Sequence, residues 1–200
     1  MQEQPIFLFD LDSTITRQEI LPTIANMVGR GPQMRDLTEK CMQGALPFRE
    51  SFLSRVNLLK DIPVNDVADA IAKIPVHEHV CEFVREHKKH CFIVTGNLDV
   101  WIEKLVERIG LEGNVYCSRG IVSEGQLLGV ASVIDKRLTV EQFVGPLVAV
   151  GDGSNDADMI SMAQVGIGFG GVRPIAPSVL EVCTHAIYRE DKLCEFLKRL

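Results

Sequence analysis

Ile6-Phe7-Leu8-Phe9-Asp10-Leu11-Asp12-Ser13-Thr14 is the stretch that decides the fold of this 200-residue chain. The run Ile6 to Phe9 is short, unbroken, apolar and rich in aromatics, and it stops at an acid. That pattern predicts a strand buried on both faces of a parallel sheet. No second strand follows it directly. Residues 17–75 instead carry four helical patterns separated by Gly or Pro. The first runs from Glu19 to Val28, with Ile20, Leu21, Ile24, Ala25 and Val28 on one stripe, and the second from about Gln33 to Met42. The third follows Pro47 through Phe48, Phe52 and Leu59, and the fourth covers Pro63 to Ile74.

From His77 onward helices and strands alternate. Helices near Val80–His87 and Val100–Ile109 precede strands Cys91–Val94 and Val115–Cys117. A hairpin is expected between Ile121-Val122 and Leu127–Ile134 around Glu124-Gly125. Then come a short helix from Val140, a strand Leu147–Val150, a helix Ala157–Ala163, a strand Val165–Phe169, a strand His185–Tyr188 and a closing helix from Lys192. The alternation predicts an α/β, doubly wound, mostly parallel sheet. The helical block after the first strand predicts an inserted helical-bundle cap. The expected division is a catalytic α/β core of residues 1–16 and 76–200 with a cap of residues 17–75.

Composition narrows the possible partners. At 46% apolar and 24% charged residues the chain can build a real core, which excludes global disorder. A formal charge of −6 argues against nucleic acid and against an anionic membrane surface, both of which need a basic face. No segment approaches the ~18 consecutive apolar residues of a membrane span. Gln2-Glu3-Gln4 runs straight into the first strand, so no signal peptide is expected. The six cysteines are scattered without a Cys-x-x-Cys pair, which fits a reduced cytoplasmic setting better than a disulfide framework. Composition leaves the oligomeric state open.

Ligands of open parallel sheets bind at the carboxyl ends of the strands. Those ends read Asp10-Leu11-Asp12-Ser13-Thr14, Thr95-Gly96-Asn97 and Gly151-Asp152-Gly153-Ser154-Asn155-Asp156. Four carboxylates converging on one edge are costly without a cation among them. Oxygen ligands with no His or Cys nearby suit Mg²⁺. The Gly and Ser spacing leaves backbone N–H groups free to face an anion, and the combination points to phosphoryl transfer.

With these motifs in place, the chain resembles the haloacid dehalogenase superfamily, in particular its phosphoserine phosphatase branch. The resemblance is carried by Phe9-Asp10-Leu11-Asp12-Ser13-Thr14, Val94-Thr95-Gly96, Lys136 and Gly151-Asp152-Gly153-Ser154-Asn155-Asp156, and it extends through the segment from Pro47 to Asp61. It implies a Rossmann-like core and a Mg²⁺-dependent phosphomonoesterase working through an aspartyl-phosphate, with O-phosphoserine as the first expected substrate. Asp10 is then the nucleophile, and Asp12 the acid that protonates the leaving alkoxide and later activates water. Asp10, the Asp12 carbonyl, Asp152 and Asp156 are the implied metal set. Ser13, Thr95, Gly96, Lys136 and Asn155 are the implied phosphate ligands. Glu19, Met42, Phe48 and Arg55 match positions that contact the amino-acid part of the substrate in that branch.

Each residue also has a plainer reading. Thr16-x-x-Glu19 is a capping box, Met42 and Phe48 suit an apolar core, and a lone Lys136 beside Arg137 suits a solvated surface. Arg55 lies on the stripe of Phe48, Phe52 and Leu59, where a guanidinium needs an anionic partner such as a substrate carboxylate. Two departures from the family pattern stand out: Arg137 follows Lys136 where a small residue is usual, and Asn97 follows Gly96 where a second Gly is usual. They leave open a different small phosphomonoester such as phosphohomoserine, a phosphotransferase, or, more remotely, a non-catalytic phosphometabolite binder. Three other patterns are set aside. Cys183 to Arg189 lacks the Gly-rich loop of thiol phosphatases, and Gly166 to Gly171 has prolines where a helix should open. His77, His79, His87 and His90 read as a solvated helix.

Overall fold

A computed structural model describes residues 4–43 and 45–200, with the side chain of Met42 outside that description. In chain order the elements begin β1 (Ile6–Phe9), α1 (Ile20–Met27), α2 (Gly31–Met42), α3 (Phe48–Asn57) and α4 (Val64–Ile71). They continue α5 (Glu78–Glu86), β2 (Cys91–Leu98), α6 (Asp99–Ile109), β3 (Val115–Ser123), β4 (Gln126–Ser132) and α7 (Lys136–Val140). The last are β5 (Leu147–Gly151), α8 (Ala157–Met162), β6 (Val165–Phe169), α9 (Pro177–Leu180), β7 (His185–Ile187) and α10 (Glu190–Leu197). The strands form one seven-stranded sheet in the order β4-β3-β2-β1-β5-β6-β7. Every neighbouring pair is parallel except the β3–β4 hairpin.

The unbroken apolar run of β1 is explained by its place between β2 and β5, where both faces are covered. Phe7 and Phe9 pack edge-on against Phe83 of α5, at centroid distances of 5.0 and 6.3 Å. Leu8 points the other way, into a second cluster with Val94, Ala149 and Met159. This alternation fixes the register, since a slip of one residue would exchange the two faces. It thereby fixes where Asp10 emerges at the strand end.

The helices α1 to α4 lie between β1 and α5, as the pattern of residues 17–75 predicts. The chain leaves and re-enters the sheet layer at adjacent points. Thr16 and Val76 form an isolated antiparallel bridge, Arg17 N–H donates to Pro75 O at 2.7 Å, and His77 N–H donates to Ile15 O at 2.8 Å. Helix α4 is tied to α6 by Lys104 on Asp69 at 2.6 Å and by Arg108 on the Ala72 and Ile74 carbonyls.

Several elements depart from expectation. β2 continues to Leu98 with a register shift between Thr95 and Leu98, so Thr95-Gly96-Asn97 belongs to an irregular strand end. The short helix expected from Val140 begins at Lys136 and ends at Val140, because Asp135 caps it by accepting from Leu138 N–H at 3.1 Å. Pro177 opens the short α9, at the first helical position that proline favours. His77 is not solvated: it is 4% exposed, edge-on to Phe169, with Nδ1 3.0 Å from Glu190 Oε2. Arg189 lies just beyond β7 rather than on a phosphate-wrapping loop. All six cysteines are free, and among the described residues no helix is long and apolar enough to cross a membrane.

Candidate active site

The ends of β1, β2 and β5 bring Asp10, Thr95-Gly96-Asn97 and Asp152 together, because these strands are neighbours in parallel register. A narrow cavity of about 50 Å³ lies over them and under α1 to α3. Of the residues singled out in the sequence, Asp10, Asp12, Glu19, Phe48, Arg55, Thr95, Gly96 and Asn155 line it. Lys136 and Asp152 lie behind that surface, paired with the lining residues Asp10 and Arg173, and Asp156 is hydrogen-bonded to both of them. Ser13 does not line the cavity. It is fully buried at φ 64°, its N–H donating to Thr16 Oγ1 and its hydroxyl unpartnered among the described residues. Met42 falls where side chains are not described, so its placement relative to the cavity lies outside the described residues.

Lys136 is the hub of the buried charges. Its Nζ donates to Asp10 Oδ1 at 2.6 Å and to Asp156 Oδ1 at 2.5 Å. Burial alone would lower its pKa, but the attraction of Asp10 and Asp156 overrides that and raises it, so the ammonium is held charged. Arg137 instead faces solvent and pairs with Glu141 of the next turn at 3.6 Å. The first turn of α7, set by the Asp135 cap, turns Lys136 inward and Arg137 outward. Asp156 uses its other oxygen as an anchor, accepting from Asp152 N–H at 3.0 Å and Gly153 N–H at 2.8 Å. Gly151 makes room for it, since a Cβ there would fall 2.6 Å from the Asp156 carboxyl carbon.

Burial, then repulsion from Asp156, pushes the Asp10 carboxyl well above the usual carboxylate range. Burial is also the main reason why Asp12 rises to about 6, with Glu19 adding to it, and why Asp152 rises to about 7. Such a cluster asks for positive charge. Asp10, Asp152 and Asp156 each present a carboxylate oxygen, all within 4.8 Å of one another. Among the described residues, five carboxylates (Asp10, Asp12, Glu19, Asp152, Asp156) share the site with three cations (Lys136, Arg173, Arg55). The two missing positive charges and the all-oxygen donor set fit a hard divalent cation.

The helical side contributes Arg55, Glu19 and Phe48. Arg55 lies within α3, and burial is the main influence lowering its pKa. Its Nε reaches only the Ser51 carbonyl, at 3.4 Å, and among the described residues it pairs with no carboxylate. Phe48 stacks on Phe52 and lays its ring against Gly96, where an added Cβ would come within 2.4 Å of it. Glu19 corrects the capping-box reading. Its side chain makes no cap bond; the first N–H of α1, that of Ile20, is instead accepted by Asp12 Oδ1 at 2.9 Å. Glu19 Oε1 pairs with Arg173, whose Nε pairs in turn with Asp152.

Arg173 is the residue that sequence reasoning missed. It sits just past β6, so extending the strand-end rule to Phe169 and beyond would have found it. Asn97, noted only as a departure from a family pattern, also lines the cavity.

Comparisons with known proteins agree with this geometry. Residues 7–161 match the family model described as haloacid dehalogenase-like hydrolase. A phosphoserine phosphatase of Methanocaldococcus jannaschii is 31% identical, with 91% of this chain aligned to 92% of that protein. One of Archaeoglobus fulgidus is 32% identical over 84% of this chain, which spans only 53% of that longer relative. A solved structure described as a phospho-aspartyl intermediate analogue of phosphoserine phosphatase superposes with a TM-score of 0.83, at 30% identity and full coverage of both chains.

Proposed function

The chain belongs to the haloacid dehalogenase-like hydrolase family, and on that premise we propose that it is a Mg²⁺-dependent phosphatase releasing serine and phosphate from O-phosphoserine. The observation that carries the substrate assignment is Arg55, a half-buried cation without a carboxylate partner among the described residues, lining the same small cavity as Asp10. A substrate with a phosphate at one end and a carboxylate at the other satisfies both. The likeness to phosphoserine phosphatases over nearly the whole chain supports the same choice.

In this scheme an Asp10 carboxylate oxygen attacks phosphorus as the ester oxygen leaves, giving an aspartyl-phosphate and a serine alkoxide. Asp12, with a pKa raised to about 6, donates the proton that the alkoxide takes up. It then accepts a proton from water as that water attacks phosphorus, which frees phosphate and restores Asp10. Lys136, held by Asp10 and Asp156, offsets charge on the transferring group, with Thr95, the Gly96 N–H and Asn155 as further donors. Asp10, the Asp12 carbonyl, Asp152 and Asp156 would hold Mg²⁺, which when bound supplies charge neutralisation for an anionic substrate approaching this acidic edge. Arg55 takes the carboxylate, Glu19 takes the ammonium with the oxygen that Arg173 leaves free, and Phe48 walls the pocket. Residues 17–75 act as the cap that reads the substrate, on a core of 1–16 and 76–200 in a cytoplasmic enzyme.

The test is a kcat/KM ranking with Mg²⁺ over O-phosphoserine, phosphohomoserine and p-nitrophenyl phosphate. O-phosphoserine is expected to lead by at least an order of magnitude. A lead by another phosphomonoester would overturn the substrate assignment. Products formed with added serine or homoserine as acceptor separate hydrolysis from phosphoryl transfer.

A further inference from the structure

We propose that Asn97 is a specificity-determining residue whose side-chain carbonyl accepts a hydrogen bond from the substrate ammonium. The inference deepens the phosphoserine assignment and rests on it. Asn97 is 4% exposed and lines the cavity over Asp10. Its N–H donates to Thr95 Oγ1 at 3.2 Å, and its Nδ2 approaches the same oxygen at 3.5 Å. That leaves Oδ1 buried without a hydrogen-bond partner among the described residues.

Among the described residues, five buried side-chain atoms are unpartnered in this way, on Ser13, His77, Asn97, Trp101 and Ser178. Of these residues only Asn97 lines the cavity. A buried acceptor is costly to leave unpaired, so a partner arriving with the ligand is the natural complement. The chemistry of the ligand then selects the partner. The phosphate and carboxylate of a phosphoamino acid offer acceptors, and the ammonium is the group that carries N–H donors. An ammonium has three of them, more than one carboxylate satisfies. Glu19 is moreover engaged by Arg173 through Oε1. Asn97 Oδ1 supplies a second, neutral acceptor from the sheet side of the cavity that Glu19 lines from the helical side. Asn97 lies in the irregular end of β2, where the register shifts between Thr95 and Leu98.

The experiment compares O-phosphoserine with the phosphate ester of 3-hydroxypropanoate, which keeps phosphate and carboxylate but lacks the ammonium. The readout is the ratio of the two kcat/KM values, in wild type, Asn97→Ala and Asn97→Asp. Wild type should favour O-phosphoserine. Asn97→Ala should shrink that ratio by about tenfold. Asn97→Asp, which keeps an acceptor and adds charge, should hold or enlarge it. An unchanged ratio in Asn97→Ala overturns the proposal, because a purely structural role moves both substrates together. A ratio that collapses equally in Asn97→Asp also overturns it, since the amide nitrogen would then be what the substrate meets. A wild-type ratio near one would instead overturn the phosphoserine reading itself, before any variant is compared.

Discussion

The sheet edge and the helices above it hold their functional groups in opposite ways. At the edge, Asp10, Lys136, Asp152 and Asp156 are buried, and each is tied to at least one other by a hydrogen bond or through a shared partner. Their positions follow from strand register and from a capped helix turn, so little freedom remains to be lost when a substrate arrives. Above them, Arg55 and Phe48 sit on a ten-residue helix, and Glu19 on a helix N-terminus that no side chain of its own caps. Phe48 lays its ring on Gly96, and Glu19 forms an ion pair with Arg173. The difference teaches a division of labour: reacting groups on the sheet edge, and discriminating groups, Asn97 apart, on the layer that docks onto it.

The comparison is broken most directly at the edge. Asp10→Asn should reduce turnover of every phosphomonoester by at least ~10³-fold while the circular dichroism spectrum stays native. A variant retaining a tenth of wild-type activity would remove Asp10 from the nucleophile role. Lys136→Met comes next. It strands Asp10 and Asp156 as buried, unneutralised neighbours, so kcat should fall by ~10²-fold on all substrates and metal-free stability in urea should fall by about 3 kcal/mol. Unchanged stability would mean that the two carboxylates do not depend on this cation.

Substitutions on the helical side should separate substrates instead of slowing them all. Arg55→Ala is expected to raise KM for O-phosphoserine by ~30-fold, about 2 kcal/mol, and KM for p-nitrophenyl phosphate far less. Equal effects on both would take Arg55 out of substrate recognition. The smallest effect sharpens the contact between the layers. Gly96→Ala pushes a methyl into the Phe48 ring and should cost about 1 kcal/mol in kcat/KM for O-phosphoserine. Adding Phe48→Ala should return part of that loss, and strict additivity of the two would show that the ring and the glycine do not meet during catalysis.

How much of this was legible in the sequence follows the same division. Asp10, Asp152 and Asp156 can be read directly, because an apolar run ending in acids is a local pattern and parallel register brings such ends together. Lys136 is only half legible. Its neighbour Arg137 is an equally good cation on paper, and Asp135 capping the turn decides which of them faces inward. Glu19 misled, since Thr16 and Glu19 have capping-box spacing while Asp12, eight residues before Ile20, takes the N–H instead. Arg173 was invisible for a related reason: an arginine in a loop between Gly171 and Pro174 looks solvated, and its two partners come from distant parts of the chain. Periodicity and spacing report neighbours in sequence. Ion pairs across 154 or 21 positions are decided by topology.

The bridge between Thr16 and Val76 has a consequence for how such a molecule diversifies. Because the chain departs from the sheet and returns to it at touching points, whatever lies between is a graft whose two stubs already meet. The sheet register depends on the stubs and hardly on the graft's length, since the entropic cost of closing a loop grows only logarithmically with its size. Helices can therefore be added, trimmed or exchanged there without moving Asp10. Inheritance can keep one reaction and rewrite its clientele.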